Sequence, residues 1–340
     1  MASSGKRTEA GGLVTVVRLA QIPVGWRRRL RGPKRPTWDL PFEAWITVLR
    51  AYSLRSTRFS IATQRRSADG VVRRTPPRGM SYEKVSAGGV PAEWFRPEGC
   101  DESRVLLYLH GGGYSIGSID SHRDLIAGLC RAAGCRGFAV DYRLAPEHRF
   151  PAQLDDALAS YRWLLDRGVD PSRLVVAGES AGGGLTLSLL QSLRDKRLPM
   201  PAAAVVVSPW TDLEMRGESM RTNARYDYIS REVLRDYASR FVGAHDLRNP
   251  LANAQHGDLR GLPPLLILAG GAEVLLDDAR VVAARARDAG VNVTLEIEPD
   301  MVHAWMLFGM FERSKAAIQR IGRFVAGAVS SPRSAVSFSG

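Results

Sequence analysis

The stretch Leu174–Leu187, LVVAGESAGGGLTL, leaves a chain few ways to fold. It opens with apolar, β-favouring residues and closes with helix-favouring ones, and between them lies Gly178-Glu179-Ser180-Ala181-Gly182. A strand that turns within five residues into a helix brings two backbones together behind the turn, where only residues with little or no side chain fit. The reading is a buried strand, a sharp strained turn and a helix, with the Ser180 hydroxyl at the apex of a G-x-S-x-G elbow. Five residues of common types are a weak signal alone. The rest of the chain must supply matching parts in the order this geometry demands.

The alternation of elements is consistent with such a strand. Tyr82–Val85 and Val90–Phe95 read as strands, and Arg104–Leu109 as a continuous apolar strand of the kind buried in a parallel sheet. A helix over His122–Ala133 leads to a strand at Gly137–Tyr142. The next helix, from about Ala152, sets Leu154, Leu158, Tyr161, Leu164 and Leu165 on one face. Beyond the elbow come strand Ala203–Val207, an irregular charged insert over about 211–261, strand Leu265–Ala269, helix Asp277–Ala289, strand Val291–Ile297 and helix Glu312–Val325. Strands alternating with helices of this length predict an α/β fold, with a mostly parallel central sheet flanked by helices and right-handed crossovers.

The net charge of +12 is confined to one region. Residues 1–80 hold 17 Lys and Arg against 4 Asp and Glu, so the remaining 260 residues are nearly neutral. We therefore divide the chain into a basic N-terminal arm (1–80), a catalytic domain (81–328) with its insert, and a Ser-rich tail (329–340) expected to be disordered. In the arm, residues 1–12 read as a frayed terminus and Trp38–Tyr52 as an amphipathic helix with Phe42, Trp45, Ile46 and Leu49 on one face. The apolar run Leu13–Trp26 is followed, not preceded, by its charges and is too short to span a bilayer. Packing on the domain as a helical cap is the first reading of the arm. Peripheral contact with anionic lipid is the second. Nucleic acid is not expected as a partner, because no binding motif accompanies the charge. Three cysteines without metal-ligand spacing point to a reduced, cytoplasmic setting and to no metal.

An activated serine needs an oriented base and donors for an oxyanion. His110-Gly111-Gly112-Gly113-Tyr114 follows a buried strand, and its glycines leave backbone N–H groups free to point at a substrate oxygen. The N–H of Ala181 is the expected second source. The base is expected at His303, in the short loop after a late strand; the other five histidines lie before the elbow or in the insert. The orienting acid is expected at Glu273, just beyond strand Leu265–Ala269, with Asp277 as the alternative. Asp277 and Asp278 otherwise suit a helix N-terminus. The order Ser180, Glu273, His303 is that of an α/β-hydrolase triad.

Six ordered motifs carry a specific resemblance: HGGGY (110–114), DYRLAPEHRFPAQLDDA (141–157), GESAGG (178–183), SPWTDL (208–213), GGAEVLLDD (270–278) and MVHAW (301–305). Through them the chain resembles the hormone-sensitive-lipase-like family of α/β-hydrolases, bacterial carboxylesterases and acetyl-hydrolases included, over roughly residues 82–325. The resemblance implies an α/β-hydrolase fold and a cap built from residues 1–80 and 211–261. It also implies a serine carboxylic-ester hydrolase that needs no cofactor, acts on short to medium acyl esters and pairs as a homodimer. It places oxyanion donors at Gly112, Gly113 and Ala181, with Gly111 as a third. The family's D-P-L acid motif aligns its aspartate with Glu273, a carboxylate one methylene longer. Amide, N-acetyl or lactone substrates remain alternatives for the same triad. A ligand-binding, inactive member would lack the histidine that His303 supplies.

Overall fold

The computed structural model describes residues 7–70 and 78–329. Of the expected 329–340 tail, only Val329, which closes the last helix, falls among them. Eight strands form one sheet: β1 (Met80–Ala87), β2 (Val90–Pro97), β3 (Asp101–Leu109), β4 (Cys135–Val140), β5 (Leu174–Glu179), β6 (Ala203–Val207), β7 (Leu265–Gly270) and β8 (Val293–Glu298). Their spatial order is β1-β2-β4-β3-β5-β6-β7-β8. The β1–β2 and β2–β4 pairs are antiparallel, and every pair from β4 onward is parallel. The central strands β5, β6 and β7 are buried along their whole length, which is why they read as unbroken apolar runs.

Ten helices accompany the sheet among the described residues: α1 (Arg7–Arg31), α2 (Leu40–Ser56), α3 (Ile61–Gly70), α4 (Ile119–Ala133), α5 (Ala152–Asp166), α6 (Ala181–Asp195), α7 (Ser219–Thr222), α8 (Arg231–Val242), α9 (Leu276–Asp288) and α10 (Glu312–Ala328). Apolar side chains collect in two cores, one on each face of the sheet. One joins α5, α6, α8 and α9, and the other joins α4 and α10 with the inner sides of α1 and α2.

Three elements differ from the sequence reading. Residues 7–12, expected to fray, already belong to α1, which continues through Pro23 as far as Arg31. The expected helix at Trp38–Tyr52 begins at Leu40 instead, because Asp39 caps it by accepting the Phe42 N–H at 2.7 Å. Trp38 is thereby left to bond elsewhere. The insert is also more ordered than its charges suggested. In α8, Val233, Leu234, Tyr237, Ala238, Phe241 and Val242 bury one stripe, behind an N-cap from Ser230. That stripe stacks Phe241 on Tyr114 at 3.7 Å between ring centres. Tyr237 reaches the arm, donating to Gln64 of α3 at 2.9 Å.

Candidate active site

Ser180 sits between β5 and α6 with φ 56° and ψ −122°, a conformation that an L-residue holds only when its surroundings enforce it. The enforcement is local. Ser180 N–H donates to Val207 of β6 at 2.9 Å, and Trp210 N–H donates to the Ser180 carbonyl at 2.9 Å. A Cβ at Gly182 would run into the Leu109 carbonyl, and one at Gly178 into the backbone of Gly182. The glycines are there because strand and helix cross within contact distance.

His303 lies in the loop between β8 and α10, and its Nε2 stands 2.9 Å from Ser180 Oγ. The ring is buried, and burial pushes its pKa down to about 4, so the imidazole rests neutral beside the hydroxyl. Its Nδ1 has no hydrogen-bond partner among the described residues. Glu273 follows β7 and is fully buried. One carboxylate oxygen, Oε2, accepts from Ser208 Oγ at 2.6 Å and from Gly270 N–H at 2.7 Å, while Oε1 is unpartnered. Burial holds the Glu273 carboxyl well above the usual carboxylate range, against those two donors. Asp277 is engaged elsewhere: it accepts from Ser219 N–H at 2.7 Å and pairs with Arg280.

The glycine loop departs from expectation at one residue. Gly111 does not offer its N–H to the cleft, because that group donates to Glu179 Oε1. A buried carboxylate facing a backbone N–H takes it permanently. Gly111 therefore leaves the set of oxyanion donors. Gly112 and Gly113 adopt φ 110° and 59°, and the N–H groups of these two residues and of Ala181 meet no acceptor among the described residues. The left-handed turn needs glycine twice over: a Cβ at Gly112 would strike the Ile116 carbonyl, and one at Gly113 the ring of Tyr237.

Sequence reasoning missed three residues around this site. Glu179, the second residue of the elbow, also accepts from Tyr108 and pairs with His122 Nε2 at 2.7 Å. Burial works to raise its pKa, but the charge and hydrogen bond of His122 prevail and leave it lowered. Ser208 donates to Glu273 and accepts from Ala304 N–H at 2.9 Å, so it touches both Glu273 and the residue after His303. Asp227, in the insert between α7 and α8, is fully buried and accepts from Val274 N–H at 2.8 Å and His303 N–H at 3.2 Å. It also accepts from its neighbour Tyr228 N–H at 2.8 Å, and burial pushes its carboxyl up to about 7. Nothing in the sequence marks Asp227, since its role is set by two loops that arrive 47 and 76 residues later.

Comparison with known proteins identifies the fold and the family. A family model described as alpha/beta hydrolase fold matches residues 106–307. An acetyl-hydrolase of Streptomyces hygroscopicus is 47% identical over 243 residues, which is 71% of this chain and 81% of that protein. Carboxylesterase NlhH of Mycobacterium tuberculosis is 34% identical over 262 residues, 74% of this chain and 81% of its own. Among solved structures, an esterase from the bacterial hormone-sensitive lipase family superposes with a TM-score of 0.81 at 44% identity, covering 84% of this chain and 96% of that one. The chain belongs to the hormone-sensitive-lipase-like family of α/β-hydrolases.

Proposed function

We propose that the chain is a serine carboxylic-ester hydrolase that works through an acyl-enzyme on Ser180, with small esters of short to medium acyl length as substrates. The observation that carries the reading is the 2.9 Å contact between His303 Nε2 and the Ser180 hydroxyl at the apex of a strained elbow. In this mechanism His303 takes the hydroxyl proton as Ser180 attacks the ester carbonyl. The tetrahedral oxygen receives N–H groups from Gly112, Gly113 and Ala181, each contributing about 3–4 kcal/mol of transition-state stabilisation. His303 then protonates the departing alcohol and activates the water that releases the acid.

Glu273 is the orienting acid of this reading. A donor left buried without a partner costs about 1–3 kcal/mol, and so does an acceptor. His303 Nδ1 and Glu273 Oε1 are one of each. Pairing them as the imidazole gains its proton removes both costs when positive charge develops on the ring. The short acyl preference draws on the acetyl-hydrolase relative. The test is Ser180→Ala assayed on p-nitrophenyl esters from acetate to palmitate. Turnover should disappear across the series, and full activity in the variant would refute the assignment.

A further inference from the structure

Helix α1 has two apolar faces, and only one of them is covered. Val17 and Val24 are buried, and Leu13 and Ala20 pack on the same core. On another side Val16, Leu19, Ile22, Trp26 and Leu30, spaced three or four residues apart, are 50–81% exposed. That spacing sets them in one stripe along the helix. No Asp or Glu occurs between positions 13 and 38, whereas seven Lys or Arg do. Arg27 and Arg28 are taken up by the buried carboxylate of Glu43, and Arg35 by Asp300. Arg18, Arg29 and Arg31 are exposed, with no carboxylate partner among the described residues. The Arg29 guanidinium lies 5.6 Å over the Trp26 ring.

We propose that this face of α1 is a docking surface for an anionic lipid bilayer. An apolar stripe with tryptophan, edged by unpaired arginines, matches a surface that offers hydrocarbon beneath negative headgroups. A second copy of the chain fits it less well. Symmetric pairing would bring the same three arginines together, with no carboxylate among the described residues of that face to offset them. Nucleic acid would leave the five apolar side chains without a counterpart. No helix among the described residues is long and apolar enough to cross a membrane, so α1 lies in the plane of the interface. The chain after α1 is fixed to the base loop: Trp38 donates to the Asp300 carbonyl at 2.6 Å, and Arg35 binds its carboxylate. Docking on α1 therefore holds the loop that carries His303 in a set relation to the lipid surface.

The experiment uses the full chain in flotation with vesicles of phosphatidylcholine alone or mixed with phosphatidylglycerol, at low and high salt. Three variants accompany it: Leu19→Gln/Trp26→Gln/Leu30→Gln, Arg18→Gln/Arg29→Gln/Arg31→Gln, and Leu30→Glu alone as the least intrusive change. Turnover of soluble p-nitrophenyl butyrate, unchanged in each, certifies the fold. Wild type should float with the anionic vesicles only, salt should release it, and partitioning should fall about tenfold or more in all three variants. The proposal is overturned if wild type ignores anionic vesicles at low salt, or if Leu30→Glu and the apolar triple variant bind as well as wild type. A wild-type dimer that becomes monomeric in the apolar variant, without lipid binding, assigns the face to a second copy instead.

Discussion

Replacing Asp227 tests whether the insert sets the catalytic geometry or only adds stability. Its carboxylate accepts backbone N–H groups from Val274, next to the acid, and from His303 itself. Asp227→Ala orphans both of these buried donors, at about 1–3 kcal/mol each, and frees the part-buried Tyr228 N–H, so stability should fall by at least about 2–6 kcal/mol. Domain stabilities of about 5–15 kcal/mol exceed most of that range, so the variant is compared where it is shown to be folded, with a lowered Tm. Asp227→Asn keeps one acceptor oxygen and should lose about half as much. The catalytic effect is separate. With the clamp gone, the loops bearing Glu273 and His303 relax independently, and a displacement of about 1 Å in a reacting group costs up to about 100-fold. Measured well below the Tm of each variant on p-nitrophenyl butyrate, kcat should fall about 10- to 100-fold in Asp227→Ala, while KM stays within about threefold, because no substrate contact has changed. Asp227→Asn should lie between this variant and wild type. A folded Asp227→Ala enzyme with kcat within about twofold of wild type would refute the argument, whatever its Tm.

Glu273→Gln should reduce kcat by about 100- to 10,000-fold, and Asp277→Asn by less than about tenfold, since Asp277 is bound to Ser219; the reverse ranking would move the acid role to Asp277. Gly113→Ala puts a side chain at φ 59° against the Tyr237 ring and should cost about 100-fold or more in kcat with the circular dichroism spectrum retained. Burial holds His303 at about 4 rather than 6.5, and only the neutral imidazole can accept the Ser180 proton. The acid limb of kcat/KM should accordingly fall as pH drops through about 4–5, and a limb at or above 6.5 would contradict the burial argument.

Much of this was legible in the sequence because its chemistry is local. The elbow, the glycine loop and the short loop of His303 each announce themselves within five to seven residues, and the apolar runs of β5, β6 and β7 follow from burial on both faces. The ester-hydrolase family followed from the order of those pieces. Helix α8 was also readable, from its Ser230 cap and its Val233–Val242 stripe, but the surrounding charges hid it. Helix α1 continues through Pro23, although an interior proline forgoes one hydrogen bond and crowds the carbonyl of the preceding turn. Two features could not be read at all. The N–H of Gly111 is consumed by a carboxylate 68 residues away, and Asp227 acts on loops that exist only after the sheet has formed.

The carboxylate of Glu179 gives the position before the nucleophile a meaning that its placeholder in G-x-S-x-G conceals. It reaches Gly111, the first glycine of the loop after β3, the His122 ring on α4 and the Tyr108 hydroxyl on β3. The glycine loop after β3 and the turn that carries Ser180 are therefore tied to each other through one carboxylate. For anyone grafting parts between relatives, the transferable unit is neither loop alone. It is the pair together with residue 179 and its partners at 108 and 122, and a library that varies 179 by itself perturbs two halves of the site at once.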